Sequence, residues 1–511
     1  MAEKKGGYSI SDIYQGSYSS LDPNKGYGNI FSGYGVTADS IGMSTDARTA
    51  NVVQEASKNL SAGAKTMELT QVFPEVFESV PRDQLKEVYR LSKLTGVDIT
   101  FHAPVLEPSG LTQHGFSESN REAVERQMQM AAERAHDLSP KGNIPVTFHS
   151  SAILPGEIKA KGGEIQKILI IDPESGSIKE IPLKERIFPG EEKKPDVQKE
   201  IERQNNEEWS SRLSHLTYNT GRAGEHISEF RHFKKQLAEA EEKAGKPLVE
   251  EEKQLKNIFS MGTVFLNDSY RDFREIYSVA AKSTIGQEKT QLKKLGEQIT
   301  QRVERIKELE KQDPESYEGM RLKKEIVEDG IEALRKIHPQ IFQSLNDFAK
   351  KRTTETFANV ALNSYKKYGN TSPIISIENP PAGGAFSTGK ELKEIVEMSR
   401  KKFVEQAKKE GIGESEARRQ AEKLIGATWD VGHINMLRKL GYGEKDIIKE
   451  TEAIAPLVKH VHLSDNFGFE HTELPMGMGN VPLNEMLKKL GEKGFDAKKI
   501  IEAGAWWQHF R

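Results

Sequence analysis

Histidines and acidic residues recur in this chain at the ends of short apolar runs. In the segment ATWDVGHIN, Asp430 closes the run and His433 follows three residues later. A carboxylate and an imidazole at that spacing can bind one divalent ion at the end of a strand. An Asp that caps a helix, followed by a surface His, is the alternative interpretation of this segment on its own. The choice between these two interpretations depends on whether other candidate ligands also lie at the ends of apolar runs.

Other apolar runs end in the same kinds of residue, and two more candidates follow in a loop. Singly, each has a structural interpretation, such as a hydrogen-bonded histidine or a carboxylate at a helix N-terminus. Five of the 13 histidines belong to the set, which random placement does not explain. His462 is assigned to the interior and His460 to outer packing. The candidate metal ligands are His102, His149, Glu378, Asp430, His433, His462, His471, Glu473 and Glu502.

This set is too large for a single ion, because catalytic zinc takes about three protein ligands and a water. Two or three ions would use it fully, with Glu378 as a bridging carboxylate. The chain has no cysteine, so nitrogen and oxygen must supply every ligand. We expect Zn²⁺, with Mn²⁺ or Mg²⁺ as alternatives. Such a centre suits displacement at phosphorus, with Glu378 and Glu502 as the catalytic carboxylates, Glu502 holding an ion or the attacking water.

The elements that must position these residues are short apolar strands alternating with amphipathic helices. This rhythm predicts an α/β fold with a parallel sheet. Eight such units predict a (β/α)8 TIM barrel, in which strand ends at one face carry the chemistry. The predicted strands lie in SIGMS, TMELT, DITFHAP and IPVTFHSS within residues 39–155, and in SPIISIENP, GATWD, VKHVHLSD and KIIEAG within residues 371–511.

A large, mostly helical insertion, residues 156–370, separates the fourth and fifth predicted strands. It begins with a predicted β-hairpin in IQKILIIDPESGSIKEIPL. Residues 287–311 have apolar positions three and four apart with charges between them, which predicts a long amphipathic helix with a solvated face. Residues 1–38 are rich in Gly, Ser and Tyr and are expected to form a poorly ordered arm.

Composition limits the classes of protein. Of 511 residues, 30% are charged and the net charge is -3, so no overall basic excess points to nucleic-acid binding, although a local basic face would be compatible with it. Without cysteines, no disulfide can form. The N-terminus lacks a signal-type apolar segment, and no 18-residue apolar run occurs. We therefore expect a soluble, cytoplasmic protein that is not inserted in a membrane.

The ordered motifs FHAP, TFHSS, SIENP, WDVGH, HVHLSD, PMGMG and IIEAG resemble the endonuclease IV family (AP endonuclease family 2), within the xylose isomerase-like TIM-barrel superfamily. The resemblance covers about residues 39–155 and 371–505. It implies a trinuclear zinc site and hydrolysis of the phosphodiester 5′ to an abasic site in DNA. The residues that match family ligands in type are His102, His149, Glu378, Asp430, His433, His462 and Glu502.

The chain departs from the family pattern in two loops. The family has an Asp-x-His pair before its Gly-x-Gly loop, whereas this chain has His471 and Glu473 in the opposite order. The family loop after the first His carries a Tyr-Leu pair that enters DNA, whereas this chain has Val105 and Leu106. The resemblance therefore implies the metal centre more directly than it implies DNA-damage recognition.

Two other functions stay open. A sugar isomerase or epimerase would hold one Mn²⁺ or Mg²⁺ with Glu378, Asp430, His462 and Glu502, and its two glutamates would exchange protons beside a carbonyl. That hypothesis gives His102 and His149 no role. Alternatively, the insertion binds a protein or ribonucleoprotein partner and the barrel is a scaffold.

Overall fold

A computed structural model describes residues 41–61, 64–157, 160–163, 167–183, 196–312, 316–492 and 498–502. The predicted arm, residues 1–38, lies outside the described residues. Contacts divide the chain into two units. The barrel unit comprises Met1–Gln166, Ser175–Ile178 and Leu345–Arg511, and the helical unit comprises Lys167–Glu174 and Lys179–Ser344.

Eight parallel strands close into a barrel, which confirms the predicted (β/α)8 TIM barrel. Every strand pairs with two parallel neighbours, in the order β1-β8-β7-β6-β5-β4-β3-β2. Closure leaves no strand edge unpaired. The strands are β1 Ile41–Ser44, β2 Thr66–Thr70, β3 Asp98–His102, β4 Pro145–His149, β5 Ile374–Glu378, β6 Ile425–Asp430, β7 Val458–Leu463 and β8 Lys499–Ile501.

Small polar residues fill one layer of the barrel interior, just below the strand ends. Thr147 Oγ1 lies 3.0 Å from Thr428 Oγ1, and the Thr428 hydroxyl donates to Ser376 Oγ at 2.7 Å. Because side chains alternate along a strand, the residue two positions later also faces inward. That rule places His149, Asp430 and Glu378 above this layer, at the rim of the barrel.

Helices surround the strands of the barrel unit. Leu345–Tyr368 is one of them, although residues up to 370 were predicted to belong to the insertion. Its Phe357 ring packs 6.4 Å from that of Phe148, and the Thr356 hydroxyl donates to the Pro108 carbonyl at 2.8 Å. The other helices are Val52–Ser61, Pro74–Ser79, Arg82–Thr95, Glu118–Leu138, Gly389–Lys409, Glu414–Leu424, Val431–Asn435, Glu444–Ile454 and Leu483–Glu492.

The helical unit contains four described helices and a small sheet. The predicted helix at residues 287–311 is confirmed as Gly286–Gln312. The two strands of the predicted hairpin, Lys167–Ile171 and Ile178–Pro182, are neighbours in a three-stranded sheet with Gln343–Ser344. The remaining helices are Val197–Ala244, Val249–Ser283 and Tyr317–Leu334. Within the described ranges, no helix is long and apolar enough to cross a membrane.

An apolar seam holds these helices together. Val197–Ala244 and Val249–Ser283 run antiparallel, since Asn219 contacts Asp272 while the Phe230 ring packs 5.0 Å from that of Phe259. A helix of 48 residues is about 72 Å long and depends on packing for its stability. The buried cluster in this seam comprises Ala223, Ile227, Leu266 and Met320.

Candidate metal centre

Glu378 lies at the centre of the candidate site. It ends β5 and is fully buried. Its Oε2 is 3.2 Å from both His102 Nε2 and His149 Nε2, and its Oε1 is 2.7 Å from His462 Nδ1. The parallel strands β3, β4, β5 and β7 thus bring their C-terminal ends to one carboxylate, as expected at the mouth of a TIM barrel.

The hydrogen bonds of two histidines show which ring nitrogen faces the centre. His102 Nδ1 donates to the Ala103 carbonyl at 2.9 Å, and His433 Nδ1 donates to the Asn379 carbonyl at 2.7 Å. A neutral imidazole with its proton on Nδ1 has a lone pair on Nε2. In the neutral ring that lone pair faces the Glu378 carboxylate, so a positive charge is required there. Although burial lowers the pKa of His102, Glu378 raises it above its usual value, and a bound cation would take the place of the proton. Backbone carbonyls behind the ring are typical of metal-binding histidines.

The two oxygens of the Asp430 carboxylate have different surroundings. Its Oδ1 accepts from the His433 backbone N–H at 2.7 Å and so caps the helix Val431–Asn435. Its Oδ2 is buried without a hydrogen-bond partner among the described residues. Gly432 allows this tight turn, because a Cβ there would lie 2.2 Å from Ser464 Oγ. One oxygen of Asp430 is therefore structural and the other is available to an ion.

Asp430 and Glu378 belong to a four-residue group on the β7 and β8 side. Glu502 follows the last residue of β8, and its Oε2 is 3.3 Å from His462 Nδ1. One nitrogen or oxygen from each of Glu378, Asp430, His462 and Glu502 lies within 4.8 Å of the others, a spacing that suits ligands of one ion. A second group, His102, His149 and Glu378, satisfies the same criterion. The two groups share Glu378.

The loop after β7 brings the last two candidates to the site. His471 Nε2 is 2.8 Å from His433 Nε2 and 3.5 Å from Glu473 Oε1. A pair of backbone hydrogen bonds between Asp465 and Leu474, of 2.8 and 2.7 Å, closes the base of this loop. The inverted order of His471 and Glu473 therefore still places both side chains beside His433.

The buried carboxylates and histidines of the cluster shift one another's pKa values. Burial alone would raise the pKa of Glu378, but nearby His462, His149 and His102 hold it well below its usual value. Burial raises the pKa of Glu502 well above its usual value. Burial also lowers the pKa of His149 to about 3, so that this histidine is neutral at neutral pH. Burial would lower the pKa of His462, but Glu502, Glu68 and Glu378 raise it well above its usual value. The buried carboxylates thus require a compensating positive charge, which a divalent cation would also supply.

Two residues of the cluster were not expected there from the sequence, namely Glu68 and His460. Glu68, in the middle of β2, is fully buried, with Oε1 3.0 Å from His462 Nε2 and Oε2 3.0 Å from His460 Nε2. The assignment of His460 to outer packing is wrong, because residues two apart on a strand share a face and His460 is fully buried inside the barrel. The signal for Glu68 was a lone acidic residue inside the strand TMELT.

Part of the chain is similar to a known family of barrels. Residues 414–507 match the family model described as xylose isomerase-like TIM barrel. An uncharacterized protein of Methanocaldococcus jannaschii is 34% identical over 80 residues, which are 16% of this chain and 26% of that protein. The chain thus spans about a quarter of the length of that relative. Residues 414–507 are therefore similar to the xylose isomerase-like TIM barrels, and the closed sheet of eight parallel strands makes the unit a TIM barrel.

Three solved structures are similar to this chain at low sequence identity. A D-tagatose 3-epimerase-like protein has a TM-score of 0.37 at 14% identity, over 92% of this chain and 95% of that chain. D-psicose 3-epimerase with D-tagatose from Clostridium cellulolyticum H10 has a TM-score of 0.39 at 8% identity, over 90% and 83%. The 3-keto-D-glucoside 4-epimerase of E. coli has a TM-score of 0.38 at 9% identity, over 92% and 97%.

Proposed function

We propose that this protein is a metal-dependent phosphodiester hydrolase that resembles endonuclease IV and uses two or three divalent ions, with Zn²⁺ as the first candidate. The supporting observation is that two groups of ligands meet at one carboxylate. His102 and His149 approach Glu378 Oε2, while His462 approaches Glu378 Oε1. A carboxylate with donors on both oxygens is suited to bridging two ions. A single ion would leave one of these groups without a role.

Each residue has a defined part in this proposal. Bound ions would supply a Lewis acid and lower the pKa of a water to near neutrality. His102, His149 and Glu378 would hold one ion, and Asp430, His462 and Glu502 would hold a second with the other Glu378 oxygen. Glu502 lies at the edge of this group, with Oε2 3.3 Å from His462 Nδ1, where it would hold the ion or the attacking water.

A third set of candidate ligands, His433, His471 and Glu473, would hold an additional ion. His433 Nε2 and His471 Nε2 converge, and His433 Nε2 is 3.7 Å from Asp430 Oδ2. Glu473 completes this group from the same loop as His471. The side chains of His471 and Glu473 are about one third exposed, unlike those at the strand ends. We propose that this ion is the weakest bound and the nearest to solvent.

The loop that carries His471 also offers contacts to a substrate. Phe467 and Phe469 are 52% and 65% exposed. The loop is anchored, because the Asn466 side chain donates to the Gly432 carbonyl at 2.8 Å and accepts from the Gly468 N–H at 2.8 Å. Exposed aromatic rings on a fixed loop suit stacking with a nucleobase. We therefore propose a nucleic-acid phosphodiester as the substrate, without a wedge at Val105 and Leu106.

A second candidate function is a sugar isomerase or epimerase, the latter being the activity that the names of the similar solved structures carry. One observation favours it, namely the compact group of Glu378, Asp430, His462 and Glu502. In that case one Mn²⁺ or Mg²⁺ would be held, and Glu378 and Glu502 would exchange protons beside a carbonyl. This function leaves His102, His149 and His433 unexplained. Binding of a protein or ribonucleoprotein partner by the helical unit stays a separate proposal.

Metal content distinguishes the two enzymatic functions. Elemental analysis of the purified protein should find two or three ions per chain. The same preparation should hydrolyse duplex DNA with an abasic site or bis(para-nitrophenyl) phosphate. One ion per chain, together with turnover of D-tagatose and none of phosphodiesters, would contradict the hydrolase and support the epimerase. Deletion of residues 179–344, which leaves the barrel helix Leu345–Tyr368 intact, tests the partner hypothesis, since undiminished turnover would separate the insertion from catalysis.

A further inference from the structure

Glu68 is a carboxylate inside the barrel, one layer below the strand ends that carry the candidate ligands. It lies two residues before the end of β2 and is fully buried. The strand register pairs it with Thr100 of β3, which precedes His102 by two residues. An ionised carboxylate without partners would cost several kcal/mol at such a position. Its partners therefore identify its role.

Three groups compensate this carboxylate. The Thr100 hydroxyl donates to Glu68 Oε2 at 3.0 Å, and His460 Nε2 lies 3.0 Å from the same oxygen. Glu68 Oε1 lies 3.0 Å from His462 Nε2. Thr100 and His460 thus hold Oε2 by hydrogen bonds. Glu68 Oε1 and His462 Nε2 are in contact at 3.0 Å without a formed hydrogen bond, and neither atom has another hydrogen-bond partner among the described residues.

His462 has a carboxylate on each side of its ring. Nε2 faces Glu68, whereas Nδ1 lies 2.7 Å from Glu378 Oε1 and 3.3 Å from Glu502 Oε2. An imidazole that binds an ion through one nitrogen keeps its single N–H on the other nitrogen. If Glu68 accepts the Nε2 proton, the Nδ1 lone pair is directed between Glu378 and Glu502. The reverse tautomer would direct two lone pairs, one from Nε2 and one from Glu68, at each other.

His102 and His433 direct the other ring nitrogen at the candidate metal centre. Each donates its Nδ1 proton to a backbone carbonyl, of Ala103 or Asn379, and presents Nε2 to the centre. His462 presents Nδ1 instead, and Glu68 occupies the position behind its ring where the other two histidines have a carbonyl. A carboxylate is the stronger acceptor and makes the imidazole a stronger donor to a metal.

We infer that Glu68 is a positioning residue that accepts the Nε2 proton of His462 and thereby directs the Nδ1 lone pair at the ion shared by Glu378 and Glu502. The inference rests on the proposed function, because it takes His462 as a metal ligand. His460 and Thr100 hold Glu68 in place and do not contact the ion.

Zinc affinity tests this inference. In Glu68→Gln the side chain keeps its shape but loses its charge, so Zn²⁺ should bind about 10- to 100-fold more weakly in competition with a chromogenic chelator. Glu107→Gln is the matched control, because Glu107 is also a buried carboxylate of the barrel unit, but it accepts hydrogen bonds from Ser109 and Ser151. Its zinc affinity should equal that of the wild type.

Two further measurements keep the test independent of folding. Thr100→Val removes one hydrogen bond to Glu68 with little change of shape and should weaken zinc binding by a smaller factor. Nitrogen NMR of histidine-labelled, zinc-loaded wild type should show His462 protonated at Nε2 and coordinated through Nδ1. Thermal unfolding of the zinc-free variants verifies that each one is folded.

The outcomes separate the inference from the proposed function. Wild-type zinc affinity in folded Glu68→Gln, alongside lost zinc in Glu378→Gln, would overturn the role of Glu68 and leave the hydrolase intact. His462 protonated at Nδ1 in the zinc-loaded protein would also overturn it. A wild-type protein that binds no zinc would overturn both.

Discussion

The barrel unit and the helical unit differ in where their charged side chains lie. In the barrel, Glu68, Glu378 and Asp430 are fully buried, and each has a side-chain oxygen without a hydrogen-bond partner among the described residues. In the helical unit, the buried seam is apolar, and ions such as Arg321 and Glu318 pair on the surface. Of the described helical-unit residues, Thr284 alone has a buried, unpartnered side-chain oxygen.

This difference indicates that the barrel unit carries the candidate site, whereas the helical unit is a framework stabilised by apolar packing. Burying unpaired carboxylates costs free energy, so a fold retains a cluster of them where something else compensates the charge. An amphipathic helical unit needs no such cluster, because packing of its apolar face supplies its stability. We therefore expect charge changes in the barrel to alter chemistry, and apolar changes in the helical unit to alter stability alone.

Glu378→Gln should have the largest effect. Removing the shared charge should lower phosphodiester turnover on the order of a thousand-fold and release metal, because electrostatic groups of this kind contribute most to catalysis. Metal at a thousand times its Kd stabilises the wild type by about 4 kcal/mol, and the variant should lose this gain. Turnover assays, elemental analysis and unfolding with and without zinc measure these changes. Turnover near the wild-type level would contradict the metal centre.

Leu266→Ala should have the largest effect in the helical unit. Leu266 is 1% exposed in the seam, and truncating such a residue costs about 2–5 kcal/mol. Hydrogen exchange should accelerate in peptides from residues 197–334, while metal content and the exchange of the barrel strands stay unchanged. Loss of metal in this variant would mean that the two units are not energetically separate.

His149→Gln should change how the stability of the metal-free protein depends on pH. Burial holds the pKa of His149 at about 3 in the folded state, below the ordinary 6.5. Between these values the unfolded chain binds a proton that the folded protein does not bind. Lowering the pH from 6.5 therefore destabilises the wild type relative to the variant, by at most about 1.4 kcal/mol per unit. Urea unfolding at several pH values measures this difference, which should be constant above pH 7.

Phe469→Ala tests whether an exposed apolar side chain contributes to substrate binding in the barrel unit but not in the helical unit. Loss of a base-stacking contact worth about 1–3 kcal/mol should raise KM for a nucleic-acid substrate roughly tenfold and leave stability unchanged. Met261→Ala is the control, because Met261 is 57% exposed in the helical unit. Equal KM values for Phe469→Ala and the wild type would remove the support for a nucleobase at this loop.

Arg321→Gln should have the smallest effect. Arg321 pairs with Glu318 and Glu325 on the surface, with about half of its side chain exposed. Exposed ion pairs contribute about 0–1 kcal/mol, so urea unfolding of the variant should fall within that range of the wild type. A loss above about 2 kcal/mol would show that surface charge stabilises the helical unit more than its apolar seam suggests.

Local patterns in the sequence determined the barrel and most of its rim. Apolar runs of strand length, separated by helical periods, predict βα units without knowledge of any contact. β2 was predicted as residues 66–70 and is Thr66–Thr70. Parallel strands in a barrel all end at one face, so candidates such as His102, Glu378 and Asp430 could be grouped from their positions at strand ends. The clustering of these residues follows from topology alone.

Only the tertiary structure decided which atoms meet. Glu68 and His460 are 392 residues apart and come together because the barrel closes and its register aligns their layers. No local pattern encodes that register, so Glu68 was missed. The end of the insertion also depended on tertiary structure, since the helix Leu345–Tyr368 contains charged residues like those of the insertion but belongs to the barrel unit. The ring nitrogen that His462 presents depends on a carboxylate from another strand, which only closure of the barrel supplies.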